Sequence, residues 1–339
     1  MKKILVLGSQ GYLGTRLTRY LKDCGYFVNG VDLGTFANCL ISDDFIETLT
    51  ITKDASSISK WDLEKYDVLI NLASNSNDPI SKVNPETYYK PAEIFSENIA
   101  IFCKDLGLKY IFPSSCSIYG VTNDMCDEIS LPNPITEYSK SKLHIESKLQ
   151  KLANQDFAPV ALRLATIFGY SPRMRFDIVV NMFTGMLLTQ NKILLNSNGM
   201  SWRPHLFIDD ALEAFRCVLE WNNNSGKMEI FNVGNNFNNL TIYQTAELMT
   251  SLFPGSTIEY LNPDINNLIF TDTKVISGKD ERNYRVGFDK IYRTFPDYKN
   301  KTSLLDGVTS MIKELKRVNL DFDKFKDKKF YRLHYLENY

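Results

Sequence analysis

Histidine is scarce, with three in 339 residues, and the six cysteines (Cys24, Cys39, Cys103, Cys116, Cys126 and Cys217) are scattered without C-x-x-C spacing. A structural zinc site needs closely spaced thiol or imidazole ligands, and a disulfide-stapled fold needs a dense cysteine framework. Neither is present, so no metal is expected and the thiols are read as reduced. No apolar run approaches the ~18 residues a spanning helix needs. The first strand begins at the N-terminus with no basic leader, apolar h-region or cleavage site, so a cytoplasmic location is expected. An excess of charge is lacking too: 39 Lys plus Arg stand against 40 Asp plus Glu, a formal charge of −1. Such a chain has no general attraction for nucleic acid or an anionic membrane, and neither is expected as a partner. Any anion must be held by a few local groups. Internal repeats and low-complexity tracts are missing.

The length allows a large core with one main domain and a smaller one. Strand and helix patterns alternate through the first half. The spacing predicts strands at 3–8, 27–32, near 49–53, 67–72, 109–114 and 158–167, and helices at 12–24, about 86–107 and 137–153. This alternation predicts an α/β fold, a doubly wound parallel sheet of the Rossmann-like kind with helices on both faces. From Gly169 the rhythm breaks. SPRMRFDIVVNMFTGMLL reads as a loop entering a helix, KILLN as a short strand, and WRPHLFIDDALEAFRCVLEW as a strand running into a helix with Asp209 or Asp210 near its cap. LTIYQTAELMTSLF and a segment around 303–317 read as further helices. The expected division is a nucleotide-binding domain over 1–168 with a returning segment at about 206–235. A smaller interleaved substrate-binding lobe then comprises 169–205 and 236–339. The basic, aromatic tail DKFKDKKFYRLHYLENY is read as a solvated or subunit-covering terminus.

The stretch LVLGSQGYLG carries three glycines, Gly8, Gly11 and Gly14, between the first strand and the first helix. Gly8 can make the sharp turn, Gly11 lets a pyrophosphate approach backbone N–H groups at the helix N-terminus, and Gly14 allows close packing of the helix on the sheet. Asp32 ends the second strand about twenty residues later, where a carboxylate can accept hydrogen bonds from an adenosine ribose and would repel a 2′-phosphate. NAD is therefore expected over NADP. Asp54, after the third strand, is a weaker candidate for the adenine side. LINLAS at 69–74 ends a strand in small residues beside which a flat cofactor could lie.

SSCSIYG at 114–120 precedes EYSKSK at 137–142. Tyr138 and Lys142 lie four apart on one helix face, and Ser115 ends a strand whose C-terminal edge opens on the same crevice. Tyrosine, near pKa 10, is a weak base at neutral pH, but a lysine ammonium favours the phenolate. One charge at ~4 Å with an effective dielectric of ~20 contributes roughly 4 kcal/mol before desolvation opposes it. Tyr138 could then take a proton from a sugar hydroxyl while hydride leaves the same carbon, with Ser115 hydrogen-bonding the oxygen that becomes a carbonyl.

These segments, together with RLATIFGYSPRMRFDIVVN, WRPHLFIDD and DERNYRV in that order, resemble the extended short-chain dehydrogenase/reductases, in particular the NAD-dependent nucleotide-sugar epimerase/dehydratase family that includes UDP-glucose 4-epimerase. The Gly-x-x-Gly-x-x-Gly spacing is the norm there. The resemblance implies Ser115, Tyr138 and Lys142 as catalytic residues, with Lys142 also holding the nicotinamide ribose. It implies Gly8, Gly11, Tyr12, Leu13, Gly14, Asp32, Asp54, Ala55, Leu72 and Ala73 around the cofactor. It further implies that the second lobe binds a nucleoside-diphosphate sugar through Ser115, Asn181, Arg203 and Arg282, with Arg173 and Arg175 as further candidates, in a homodimer. Three departures stand out. Family dehydratases carry an Asp-Glu pair where this chain has Cys116 and Ser117, Ala92 falls where many relatives have asparagine, and Thr166 occupies another position often held by asparagine. The expected activity is C4 epimerisation through a 4-keto sugar. The alternatives are a 4-dehydrogenase or 4-keto-sugar reductase, a 4,6-dehydratase, or a non-catalytic NAD-binding regulator.

Overall fold

A computed structural model describes residues 1–42, 49–74, 76, 89–260, 282–299 and 301–337. Seven strands form one sheet in the order β11-β7-β5-β4-β1-β2-β3, and every neighbouring pair is parallel. They are β1 (Lys3–Leu7), β2 (Phe27–Asp32), β3 (Thr50–Thr52), β4 (Val68–Asn71), β5 (Lys109–Ser115), β7 (Val160–Leu164) and β11 (Glu229–Val233). Strands buried on both faces should read as nearly continuous apolar runs, and β1, β4 and β7 do. Helix α1 (Tyr12–Asp23) and α6 (Ile208–Glu220) cover one face through Leu17, Leu21, Leu212, Phe215 and Val218. The short α2 (Lys60–Leu63), α3 (Lys90–Leu106) and α4 (Glu137–Leu152) cover the other through Leu63, Phe95, Ile99, Cys103, Ile145 and Leu149. The doubly wound reading therefore holds. Residues 86–88 of the expected third helix lie outside the described residues.

The chain runs outward from β1 to β3 and then returns to place β4 on the other side of β1. That reversal opens a crevice at the C-terminal ends of β1 and β4, the usual ligand position in such sheets. The ladder between β4 and β5 ends at Ile70 and Ile111, four residues short of Ser115, which widens the same edge.

The expected strand 158–167 is two strands. After Leu164 the chain leaves the large sheet at Ala165, and β8 (Thr166–Phe168) pairs with β10 (Trp202–Phe207), which also takes β12 (Asn239–Thr241). Helix α5 (Val179–Gln190), β9 (Lys192–Leu195), α7 (Ile242–Thr250), β13 (Thr257–Tyr260) and α9 (Leu304–Arg317) complete the second lobe. Val121–Cys126 forms β6, paired with β14 (Asn283–Val286), and α8 (Asp289–Thr294) follows. Sequence reading missed β6 because its residues are mostly exposed and carry no alternation.

The tail is a second correction. It forms α10 (Phe322–Lys326), a 3₁₀ turn and α11 (Arg332–Glu337), and Phe325, Phe330 and Tyr331 are buried in the second core against Phe176. Aromatic burial of this kind drives the segment onto its own chain rather than into solvent. No helix among the described residues is long and apolar enough to cross a membrane.

Candidate active site

The glycine turn and the β4 loop face each other across the crevice. Gly8 adopts φ +76°, and a Cβ there would stand 2.7 Å from the Leu72 carbonyl carbon and 2.9 Å from the Ala73 nitrogen. Only glycine meets both demands. Gly14 acts differently from the sequence expectation: a Cβ would lie 2.1 Å from the Gly8 carbonyl oxygen, so this glycine seats α1 on its own turn rather than on the sheet. Gly11 is the N-cap with extended backbone, no side chain caps it, and the first turn of α1 holds no acidic residue. The Gly11 N–H donates to the Gly8 carbonyl at 3.2 Å, and the amides of the first helical turn that follow it are available to an anion.

Asp32 lies at the end of β2 and leans toward that turn, accepting hydrogen bonds from the Gln10 N–H at 2.9 Å and the Gly34 N–H at 2.8 Å. Asp54 is exposed and caps the 3₁₀ turn Ala55–Ser57 by accepting from the Ser56 N–H at 2.8 Å. Leu13 is half-buried against both cores. The Tyr12 side chain points away from the turn into the second lobe, donating to the Gly169 carbonyl at 2.6 Å and accepting from Asn181 Nδ2 at 3.2 Å. Burial raises its phenol pKa, so it serves as a neutral tether and offers the turn only its backbone N–H.

Helix α4 brings Tyr138 and Lys142 against β5, the strand that ends in Ser115 at the widened sheet edge. Ser115 caps the 3₁₀ turn Cys116–Tyr119, and its Oγ accepts from the Ser117 N–H at 3.1 Å and the Ser117 hydroxyl at 2.9 Å. Both bonds are accepted, which leaves the Ser115 proton to donate. Thr136 and Ser139 form a capping box that sets the start of α4, one residue before the Glu137–Tyr138 step. Lys142 Nζ donates to the Pro113 carbonyl at 2.9 Å and lies 5.6 Å from the Tyr138 ring centre and 4.7 Å from that of Phe112. The Tyr89 ring flanks Tyr138 at 6.1 Å.

Burial pushes the Lys142 ammonium down to about 8, with the carboxylate of Glu146 opposing the shift. The lysine is thus charged at neutral pH and loses its charge as pH rises through that value.

The second-lobe candidates divide. Arg203 Nη1 donates to the backbone carbonyls of Trp202 at 2.7 Å and Arg282 at 2.5 Å, so two of the expected phosphate contacts are neighbours. Asn181 is fully buried and held by this chain's own groups: its Oδ1 accepts from the Gly169 N–H, and its Nδ2 donates to Tyr12 and to the Arg175 carbonyl. It joins α1 to the second lobe. Arg173 also meets groups of this chain. It is buried and donates to Thr15 Oγ1, to the Phe36 carbonyl and to the Ala37 carbonyl, stapling the loop after β2 to α1. Arg175 pairs with Asp177 at 2.9 Å and donates to Ser76 at 3.0 Å. Ala92 is half-buried near the start of α3, and Thr166 pairs with His205 in the lobe sheet. Cys116 is buried with its thiol donating to the Arg163 carbonyl at 3.1 Å, and desolvation raises its pKa well above the ordinary thiol range. No acid therefore stands beside Ser115 on that turn.

Residues 4–234, about two thirds of the chain, match the sequence model of the NAD dependent epimerase/dehydratase family. The chain belongs to this family. Protein CapI of Staphylococcus aureus is 25% identical over 266 residues, covering 69% of this chain and 78% of CapI. In fold the chain is similar to TunA, an NAD-dependent NDP-hexosamine 5,6-dehydratase of tunicamycin biosynthesis, with TM-score 0.78 and 18% identity over 94% of this chain and 99% of TunA. It is also similar to the UDP-glucose 4-epimerase of Thermotoga maritima in a structure with UDP-glucose, with TM-score 0.73 and 21% identity over 93% and 99% of the two chains. The cofactor of the family is NAD, and the local residues fit it: a cradle that a Cβ at Gly8 would fill, an uncapped helix N-terminus and a carboxylate at the tip of β2.

Sequence reading overlooked Ser117, which orients Ser115, and Glu146, which follows Lys142 by one more helical turn. Extending the Tyr138/Lys142 row by four residues would have found Glu146. Nothing in the local sequence pointed to Arg163, its partner from β7.

Proposed function

We propose that this member of the family is a nucleotide-sugar epimerase acting at C4 through a 4-keto sugar. The observation that supports the reading is the docking of the Tyr138/Lys142 row, through the Lys142 bond to the Pro113 carbonyl, on the strand that ends in Ser115, next to a turn that bears Cys116 and Ser117 in place of acids. Tyr138, with Lys142 charged beside it, takes the proton of the C4 hydroxyl. NAD, when bound beside the Gly8–Gly11 turn, would supply the hydride acceptor and, in its reduced form, the hydride donor. Ser115, polarised by the bond it accepts from Ser117, donates its free proton to the oxygen as it becomes a carbonyl. A 4,6-dehydration also needs an acid to protonate the departing hydroxyl, and the buried neutral Cys116 thiol is a poor donor for that task. In this reading the guanidinium groups of Arg203 and Arg282 hold the diphosphate, a role supported by the bond from Arg203 Nη1 to the Arg282 carbonyl, which makes the two residues neighbours. Assembly as a homodimer belongs to the same proposal.

An epimerase borrows a hydride and gives it back, so it gains from a cofactor that stays. The protein is expected to purify with NAD bound and to interconvert C4 epimers of one or more UDP-, GDP-, CDP- or dTDP-sugars without added nicotinamide. Mass spectrometry of released small molecules followed by incubation with that panel provides the check. Stoichiometric consumption of added reduced nicotinamide with a 4-keto sugar, and no isomerisation without it, would move the protein to the reductases.

The role of Asp32 is tested separately. A carboxylate beside the turn repels a 2′-phosphate, so the wild type should prefer NAD to NADP. Asp32→Ala should narrow the preference mainly by weakening NAD, by about 1–3 kcal/mol for hydrogen bonds to a charged acceptor. Calorimetric titration of both cofactors reads this out, and equal wild-type affinities would refute the assignment.

A further inference from the structure

Tyr138, Lys142 and Glu146 occupy successive turns of α4 on one face, and Lys142 and Glu146 are both buried. Glu146 is clamped by Arg163 of β7, which donates from Nε at 3.1 Å and from Nη2 at 2.8 Å. Arg163 is itself oriented by Nη1, which donates to the Tyr119 hydroxyl at 2.9 Å, and that hydroxyl is shared between the Asp127 carbonyl and Asn232 Oδ1. A buried pair of this kind often contributes no more stability than apolar residues of similar volume, so stability alone does not account for it. Lys142, one turn away, has no carboxylate within ion-pair distance among the described residues, and its ammonium bonds only a neutral carbonyl, that of Pro113. An isolated buried ammonium tends to shed its proton.

We infer that Glu146 is a positioning residue of the acid–base centre, its buried carboxylate, held in place by Arg163, keeping Lys142 charged beside Tyr138. The groups around Lys142 support this assignment. On α4 they are Tyr138 and Glu146. From β5 they are the Phe112 ring and the Pro113 carbonyl, neither of them charged. The 3₁₀ turn packed on α4 carries Cys116 and Tyr119, both kept neutral by burial, and the Arg163 guanidinium of β7 is bound to Glu146. On α3, Glu97 is engaged with Lys148 at 2.9 Å. Glu146, one turn farther along the same helix face, is thus the negative charge that opposes the desolvation of Lys142.

The inference rests on the role proposed for Tyr138 and Lys142, and two readouts keep the two ideas apart. Lysine-labelled NAD-bound protein is titrated by carbon NMR, with the Lys142 signal assigned by its loss in Lys142→Met, and the basic limb of kcat/KM is recorded in parallel. In Glu146→Gln the Lys142 midpoint and the basic limb should both move down by about one pH unit, with turnover at pH 8 reduced roughly fivefold. Glu146→Gln also leaves Arg163 buried without its partner, so Glu146→Leu/Arg163→Met removes both charges together. That double variant should keep the lowered midpoint, and Glu146→Asp, which retains the charge, should restore most of it. A Lys142 midpoint in the folded double variant, or in Glu146→Gln should the double variant not fold, that coincides with wild type overturns the inference. Full turnover in Tyr138→Phe would instead overturn the catalytic assignment and leave the NMR midpoint to judge Glu146 on its own.

Discussion

Tyr138→Phe is expected to lower turnover at least ~100-fold, the usual scale of general acid–base catalysis, while the fold and the bound NAD stay nearly intact. The substitution keeps the ring that packs beside Tyr89 and beneath the Lys142 ammonium, and it removes only the hydroxyl. The loss should therefore appear in kcat, with the unfolding temperature and the NAD content of the purified protein close to wild type. The remaining Ser115 and the local field can still polarise a carbonyl but cannot move the proton of a hydroxyl. Turnover near wild type, measured on a nucleotide sugar that the parent protein converts, would remove Tyr138 from the mechanism.

Gly14→Ala carries the other large effect. Helix propensity by itself favours alanine over glycine by about 1 kcal/mol. Here the new Cβ would stand 2.1 Å from the Gly8 carbonyl oxygen and 2.9 Å from Ser9 Cα, both backbone atoms that cannot rotate away. Relieving that contact requires α1 to lift from the turn. Overpacking of this kind costs about 1–3 kcal/mol or more, so the variant should be less stable despite its better helix former. The displacement also spoils the alignment of the first-turn amides with a pyrophosphate, and NAD affinity should fall at least ~10-fold, since a misplaced pair of charge-assisted hydrogen bonds is worth more than one decade. Thermal unfolding and the NAD content of the purified protein read both consequences. An unchanged melting temperature together with full NAD content would show that α1 does not rest on its own turn.

The sheet was legible because its signals are local. β1, β2 and β7 read as short apolar runs, α1 and α4 carry apolar residues at helical spacing, and the Thr136–Ser139 box fixes where α4 starts. The same locality made the Tyr138/Lys142 pair visible, since four residues on a helix always share a face. Reading failed where a partner distant in sequence decides the outcome. Thr166–Phe168 continues the apolar character of β7, yet β10 captures it into another sheet. The tail is rich in charge, yet three aromatics spaced through it find a pocket against Phe176. Asn181 and Arg173 looked like substrate contacts because amides and guanidinium groups suit a diphosphate. Which acceptor each one meets is set by the path of Gly169–Phe176 across α1 and the β2 loop.

By itself, then, the sequence determined the α/β class, the crevice-forming glycine turn with Asp32 beyond it, the helical row that begins with Tyr138 and Lys142, and through these the NAD-dependent family. Each of these is encoded in short-range spacing, where backbone geometry leaves a residue few places to point. Tertiary structure alone decided the charge state available to Lys142, because that depends on how much water is excluded from its ammonium and on Glu146 and Arg163 meeting across 17 residues of chain and two different elements. It also decided that Gly14 packs on Gly8, that Ser117 orients Ser115, and that Arg203 lies against Arg282, 79 residues away. Desolvation and long-range hydrogen bonding are properties of packed neighbours, and the order of residues along the chain does not specify them until the sheet and its helices have closed.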